Sequence, residues 1–435
     1  MANSLTSNVT RQLVRTFLKE FDAARVITKS VNSQLLQGKF SRRSGTTVDY
    51  KRPHDYTSTR TSTGDISGGG KSDMIAGKAT ATVQDFFTVA TEWDGLEDAV
   101  QTDQLEEVLA PMATRLCQDL ETDFAKYMTQ NAGGSYAASG TYGTAVATWQ
   151  DVADTSAYME SLGVPMDKKW HYAMNPFTAT KLAGASADNG GQINRSSGSN
   201  GLVDSAYANA TIANSFAGFR VLRSTHLHSF TSATASDLTG ALNGAPDATY
   251  ATAKDTFTQV WTVDGFGSET FAANALVGQV VELTTGDVFQ LSHATRNPII
   301  DSAGAKRKYT GVIVANTLFS GGAGTITVSG PAIYEATGAY NTVDAAIADG
   351  DAITILGNSA TQYTPNLAFH PDAFGIGTVK LNKLYEGDTV AVTKDGMSIR
   401  CTKYSDGDSN EQKVRFDLLP AYSTLNPWLA VQAWG

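Results

Sequence analysis

Residues 54–78 read HDYTSTRTSTGDISGGGKSDMIAGK, a stretch made almost wholly of Gly, Ser, Thr and charged side chains. It lies between two strand-like runs, TTVDYKR (46–52) and TATVQDFFTVA (80–90), rich in β-branched and aromatic residues. A polar stretch of this kind cannot bury enough apolar surface to fold as a unit. The physical reading is a long hairpin arm that projects from a body and becomes ordered by lying on something else, such as another copy of the chain. The segment that follows has the opposite character. From Asp103 to Gln130, apolar residues recur at Leu105, Val108, Leu109, Met112, Leu116, Leu120, Phe124, Tyr127 and Met128, which predicts one long helix of roughly 42 Å. Thr102 is placed to cap it, with Asp103, Glu106 and Glu107 in the first turn, and Gly133 and Gly134 stop it. Pro111 is expected to bend the helix or mark a restart.

Upstream, residues 9–27 put Leu13, Val14, Phe17, Leu18 and Phe21 on one helical stripe and Arg11, Arg15 and Lys19 on the other side. That basic side could meet nucleic acid or an acidic partner but reads first as a solvated helix face, and Lys39, Arg42, Arg43, Lys51 and Arg52 extend the basic character towards residue 52. Downstream the pattern becomes α/β. A helix over 149–163 capped by Thr148 is followed by the buried strand KWHYAMN (169–175), then Pro176 opening the helix FTATKLA, then a Gly/Ser/Asn loop (184–201) and the strand FRVLRST (219–225). After about residue 226 only short alternating runs occur: FTQVWTV, QVVELTT, VFQLSHA, YTGVIVAN, GTITVSG and DAITILG. Close Gly, Asn and Asp turns between them predict a small barrel or sandwich inserted into the α/β part. Near Asn358 this gives way to NLAFHPDAFGIGTVKL, which resumes the strand and turn rhythm, and the chain closes with a hairpin, SIRCTKY and KVRFDLL, and a last strand, WLAVQAWG.

The chain has 435 residues, 17% of them charged, fewer than the ~25% usual for soluble domains. Its formal net charge of -10 argues against a dedicated nucleic-acid binder. There is no apolar run of about 18 residues and no apolar stretch at the amino end, so neither a membrane span nor a cleaved signal is expected. Cys117 and Cys401 fit no metal or redox spacing and read as packing residues in a reducing compartment.

Three motifs could carry chemistry. DISGGGKS (65–72) approaches a phosphate-binding loop, but Asp65 stands where Gly is required, and the flanking strand and helix are missing. His226 and His228 would share one face of a strand, without a third ligand nearby. Asp406, Asp408 and Asn410 imitate the start of a calcium loop with Asp417 at its end, but Glu411 occupies the turn that needs Gly. The first reads as flexible arm, the second as structural or surface histidines, and the third as a polar hairpin turn. No catalytic, cofactor or metal residue is assigned and no cofactor is expected.

The order of these elements resembles the major capsid (coat) protein of tailed bacteriophages, of the short-tailed-phage type with an inserted β-domain. The run from Ala206-Tyr207 to Ile212, then Phe216-Ala217-Gly218-Phe219-Arg220-Val221-Leu222-Arg223-Ser224, is similar to the stretch that leads into a strand of that family's A-domain. Asn175-Pro176 resembles its strand-to-helix junction, and Phe369, Pro371 and Asp372 its return from the insertion. The Gly/Ser-rich arm tip and Pro111 depart from the pattern. The resemblance implies an α+β capsid fold divided into an N-terminal arm (1–45), an extended hairpin or E-loop (46–92), a spine helix with part of the P-domain (93–147), a first A-domain part (148–226), an inserted all-β barrel (227–358), a second A-domain part (359–397), and a P-domain hairpin with the terminal strand (398–435). It also implies a structural, non-enzymatic protein of the virion, assembled in the host bacterial cytoplasm. The partners it implies are further copies of the chain in hexamers and pentamers, a scaffolding protein, a portal at one vertex and, as a further candidate, a decoration protein. The shell would enclose dsDNA without reading its sequence. The insertion is expected to fold by itself. Two other classes fit parts of the sequence: an exported adhesin-type β protein, for the Thr/Ala/Gly-rich region 226–360, and an enzyme with a dispersed site.

Overall fold

The structure, a computed structural model, describes residues 6–36, 45–94, 105–183 and 212–287, and the remainder to Gly435 apart from 288–298, 301–303, 305, 337, 386–387, 394, 407 and 409–410. The chain divides into two compact units, Met1–Asp49 with Thr80–Ala125 and Phe374–Ser423, and Tyr50–Ala79 with Lys126–Ala373 and Thr424–Gly435.

The first unit is built on the amino-terminal helix Thr6–Ala24, most of the long helix Leu105–Gln130 and two four-stranded sheets. The apolar stripes predicted for both helices are its core: Val14, Phe17 and Phe21 from one and Leu109, Met112, Leu116, Leu120 and Phe124 from the other are buried. Phe17 stacks on Phe416 of the carboxy-terminal hairpin at 3.8 Å between ring centroids. Pro111 does not interrupt the long helix, which is continuous from Leu105. Seventh in the described helix, Pro111 lies beyond the unpaired N–H groups of a helix start, so its missing N–H costs the ladder one bond without ending the helix. The proposed cap Thr102 lies outside the described residues.

One expected strand is two. TATVQDFFTVA breaks at Gln84–Phe86 into Lys78–Val83, which pairs with Pro420–Thr424, and Phe87–Asp94, which pairs with Glu411–Leu418. The partner strands are interrupted at Leu419, so both chains turn the same corner from one sheet to the other. Gln84 holds the corner by donating its amide to Pro420 O at 2.9 Å. The closing hairpin, Ser398–Asp406 with Glu411–Leu418, forms as the sequence indicates.

The second unit contains a six-stranded sheet in the order Gly134–Ala137, Ala430–Trp434, Asn366–Phe369, His171–Met174, Phe219–Arg223, Ser215–Phe216. The helix Trp149–Leu162 begins with the expected cap, in which Thr148 and Asp151 satisfy each other's amides in a capping box. Ala217 (φ 46°) and Gly218 (φ 91°) form a two-residue turn between the last two strands, the left-handed geometry that matches strand twist in a tight hairpin.

The β-only region is a closed six-stranded barrel: Thr258–Asp264, Gly324–Ser329, Lys308–Asn316, Val280–Asp287, Ala352–Ile355 and Thr239–Leu242. Alternate residues fill it, among them Trp261, Val263, Val281, Leu283, Ile326 and Ile353, all fully buried. VFQLSHA (288–294) lies outside the described residues. The barrel core is continuous with the core of the sheet and helices around it. Thr310 Oγ1 accepts the amide of Ser135 at 3.0 Å, and Tyr309 meets Trp428 edge to face at 6.0 Å. At Gly330 (φ 73°) a Cβ would stand 2.4 Å from Gly133 O, so the backbones approach as only glycine allows.

Candidate functional site

The arm is the feature of this chain least explained by its own core. Residues 56–71 are exposed throughout, and Pro53–Gly77 carry no strand ladder. The two legs are tied by side chains instead. Thr57 N donates to Ser72 Oγ at 2.8 Å, and Thr59 Oγ1 donates to Gly70 O at 3.4 Å. Gly70 (φ 87°) sits so near Thr59 that a Cβ there would be 2.6 Å from its hydroxyl. Tyr56, Ile66 and Met74 expose 55%, 44% and 71% of their surface along this arm, an apolar display that costs a lone chain solubility.

The root of the arm, by contrast, is firmly built into the second unit. Arg52 is buried, donates its backbone N–H to Gly77 O of the opposite leg at 3.0 Å, and sends its guanidinium to Lys78 O (3.0 Å) and Leu425 O. The same guanidinium lies 3.9 Å over the ring of Phe257. Burial pushes its pKa down to about 10, against the field of Tyr250 and Asp255. Ile75 packs on Tyr250, Ala253 and Ile333, Asp55 N donates to Tyr340 OH at 3.1 Å, and Lys78 N donates to Asp255 Oδ1 at 3.2 Å. The arm thus has a fixed root and an exposed tip.

The described residues of the motifs that might have carried chemistry make structural contacts. Asp65 of the glycine-rich DISGGGKS stretch accepts the Ser67 amide at 2.8 Å in an exposed turn, with no helix after it. His226 and His228 lie outside any strand, which corrects their expected placement: the Ser224 hydroxyl takes the His226 amide in a local turn. His228 stacks on Phe230, and burial lowers its pKa. Asp417, the would-be calcium ligand, is buried between Arg400 (2.5 Å) and Arg415 (2.6 Å), and Asn410 lies outside the described residues. Burial alone would raise the Asp417 pKa, but those arginines and Thr88 lower it overall.

Two groups were not singled out in the sequence. Asp167, His370 and Asp372 converge closely enough to suggest a metal. However, His370 Nδ1 accepts the Asp372 amide at 3.1 Å, which leaves Nε2 to donate to Asp167 at 3.0 Å, while Lys168 holds the Asp372 carboxylate at 2.5 Å. Both ring nitrogens are used. The second is Glu121, whose place on the 117, 121, 124, 128 stripe of the long helix was the available signal that it is buried.

The long helix, the hairpin whose strands turn a corner between two sheets, the α/β sheet with its barrel and the exposed arm stand in the order expected of a major capsid protein of a tailed phage. The chain belongs to the P22 coat protein family, whose model, described as P22 coat protein, gene protein 5, matches residues 1–435. It is 35% identical over 439 residues, covering 100% of both chains, to the major capsid protein of Acyrthosiphon pisum secondary endosymbiont phage 1. Among solved structures it is similar to the capsid of Ralstonia phage GP4 (6% identity, 94% of this chain and 90% of that one, TM-score 0.46). It is also similar to the capsid of cyanophage P-SCSP1u (12%, 93% and 88%, TM-score 0.42). Family membership rests on the sequence matches, and these looser likenesses add no weight to it. The chain is therefore a component of a phage virion.

Proposed function

We propose that this coat protein assembles into hexamers and pentamers that close an icosahedral head around phage dsDNA. The observation that carries this reading is the arm: an exposed polar lever with apolar side chains at its surface, held at its root by buried Arg52. Contacts in which one patch meets a different patch on the next copy generate rings, and an arm enlarges such contacts without a larger core. The protein acts as structure and not as an enzyme. Its net charge of -10 keeps a shell from adhering to packed DNA, so the genome is enclosed without sequence reading. The segments 1–45, 46–92, 93–147, 148–226, 227–358, 359–397 and 398–435 serve as N-terminal arm, E-loop, spine with part of the P-domain, first A-domain part, insertion, second A-domain part and P-domain hairpin. Assembly takes place in the host cytoplasm on a scaffolding protein, with a portal at one vertex and a decoration protein as an accessory partner.

Replacing residues 57–73 by a short Gly/Ser bridge spares Arg52, Ile75 and Gly77. The shortened chain is expected to keep its circular dichroism spectrum and fail to form shells in the presence of scaffolding protein. Normal shells from it would refute the arm's part in assembly.

A further inference from the structure

We propose that the cleft between the helix Trp149–Leu162 and the barrel binds a small aryl carboxylate, with its acid group against Lys306, Arg307 and Lys308 and its ring in the neighbouring apolar chamber.

Two chambers meet in this cleft. The smaller, about 200 Å³, is lined among others by Tyr142, Glu282, Lys306 and Lys308. The larger, about 530 Å³, lies along the helix face that carries Gln150, Asp154, Ala157 and Ser161 at three- and four-residue spacing, and reaches Ile299 and Ile300. Tyr136, Tyr158 and Arg307 line both chambers. These three side chains form a stacked wall. The Arg307 guanidinium lies 5.2 Å from the ring centroid of Tyr136, and Tyr136 stacks on Tyr158 at 4.7 Å. The wall is well supported: both tyrosines are buried, Arg307 N donates to Ile299 O at 3.0 Å, and Ser135, next to Tyr136, exchanges two hydrogen bonds with Thr310.

The two linings ask for different halves of one ligand. Three consecutive cations line the smaller chamber, against the single carboxyl of Glu282. Burial raises the Glu282 pKa, and Lys308 opposes this only in part, so the acid repels an incoming anion less than an exposed one would. Asp344 holds Lys306 at 3.0 Å, and Arg307 donates to the Tyr136 hydroxyl at 3.4 Å, which fixes where both cations stand. Tyr142 adds a hydroxyl that is buried and has no hydrogen-bond partner among the described residues. A guanidinium beside ammonium groups and a phenol suits a carboxylate. The larger chamber offers Ala138, Ala157, Ile299, Ile300 and the tyrosine wall, and its one acid, Asp154, turns a second negative group away. A cavity of this size with apolar walls and a few convergent polar groups is the usual form of a small-molecule site, and a flat ring packs well beside stacked phenols. Such a ligand would bridge the insertion and the α/β part of the same unit, and so stabilise the folded chain by binding it.

The test uses the full folded chain as free subunits, with 2-naphthoate as the probe and titration calorimetry as the readout. Saturable binding is expected with a Kd of about 1 mM or tighter, the range a ligand of this size reaches at ordinary efficiency. Naphthalene-2-methanol keeps the ring without the charge and acetate keeps the charge without the ring, and each is expected to bind about tenfold more weakly or worse. Lys306→Gln with Lys308→Gln, both at exposed positions, should weaken 2-naphthoate by about tenfold. Ala157→Trp and, separately, Ser161→Trp fill the larger chamber from the helix and should weaken it as much, with circular dichroism spectra like that of the parent chain. No saturation by 2-naphthoate up to about 10 mM, equal affinity for the neutral alcohol, or parental affinity in the lysine pair and in both tryptophan variants would overturn the proposal.

Discussion

The carboxylate of Glu121 accepts the backbone amide of Ile27 at 2.7 Å, and with it the amides of Val26 (3.2 Å) and Thr28 (3.0 Å) and the Thr28 hydroxyl (2.5 Å). One buried acid on the long helix thus gathers the turn that follows the amino-terminal helix. Arg25 donates to the same Thr28 hydroxyl oxygen at 2.9 Å and pairs with Asp395 at 3.2 Å and Asp22 at 3.4 Å.

Glu121→Ala leaves these donors without an acceptor, and each unsatisfied buried group costs about 1–3 kcal/mol. The substitution is expected to lower unfolding stability by about 3 kcal/mol or more and to open residues 25–33 to protease. Glu121→Gln keeps one acceptor oxygen and should lose less. Urea midpoints and limited proteolysis of the three proteins check this, and an unchanged midpoint for the alanine variant would contradict it.

Arg52 fixes the arm where it leaves the body. Removing it deletes a desolvated cation over Phe257 and its bonds to two carbonyls, together about 3 kcal/mol. Arg52→Lys keeps the charge but not the planar fork, so it should rescue little. Thermal unfolding measures the stability loss. Assembly yield with scaffolding protein should fall further for Arg52→Ala than for a substitution of equal stability cost inside the barrel.

His171 is buried against Phe369, and burial, with the field of Arg220 and His370, pushes its pKa down to about 4. The ordinary value near 6.5 holds in the unfolded chain, so between those limits the unfolded state binds the extra proton. Stability is full above about pH 6.5 and falls as pH drops towards 4, by at most about 1.4 kcal/mol per pH unit from this group. His171→Gln should flatten that slope. Urea midpoints at pH 7, 6, 5 and 4 test it, and an equal slope in both proteins would assign the acid sensitivity elsewhere.

Burial raises the thiols of Cys117 and Cys401 to about 12, with Glu121 adding to the first and Asp388 to the second. Thiolate is the reactive form. The native protein at pH 8 is expected to show no thiol titration with a colorimetric disulfide reagent, and two equivalents once unfolded. Rapid labelling of the native chain would contradict the packing assigned to both.

Much of this was legible in the sequence where a pattern is local. Period 3.6 marked the helix Leu105–Gln130 and period 2 marked the barrel strands, because each buries one repeating face. The cap at Thr148 and the turn at Asn175-Pro176 follow from side chains within four residues. What stayed hidden depends on partners far along the chain. Arg52 looked like one more surface base because Phe257 and Leu425 are distant in sequence. Asp417 read as part of a polar hairpin turn, and its burial stayed hidden because Arg400 faces it across a strand pairing. The corner at Gln84 was missed because it takes shape only against the break at Leu419. The continuous core beneath the barrel also bears on whether the insertion folds alone, since Thr310 and Tyr309 are satisfied by Ser135 and Trp428 outside it.

Electron microscopy of the full 46.0 kDa chain, expressed with and without a scaffolding protein, tests the central claim most directly. Closed shells of uniform size are expected with the scaffold, and irregular shells or rings without it. Dispersed monomers under both conditions would contradict the account.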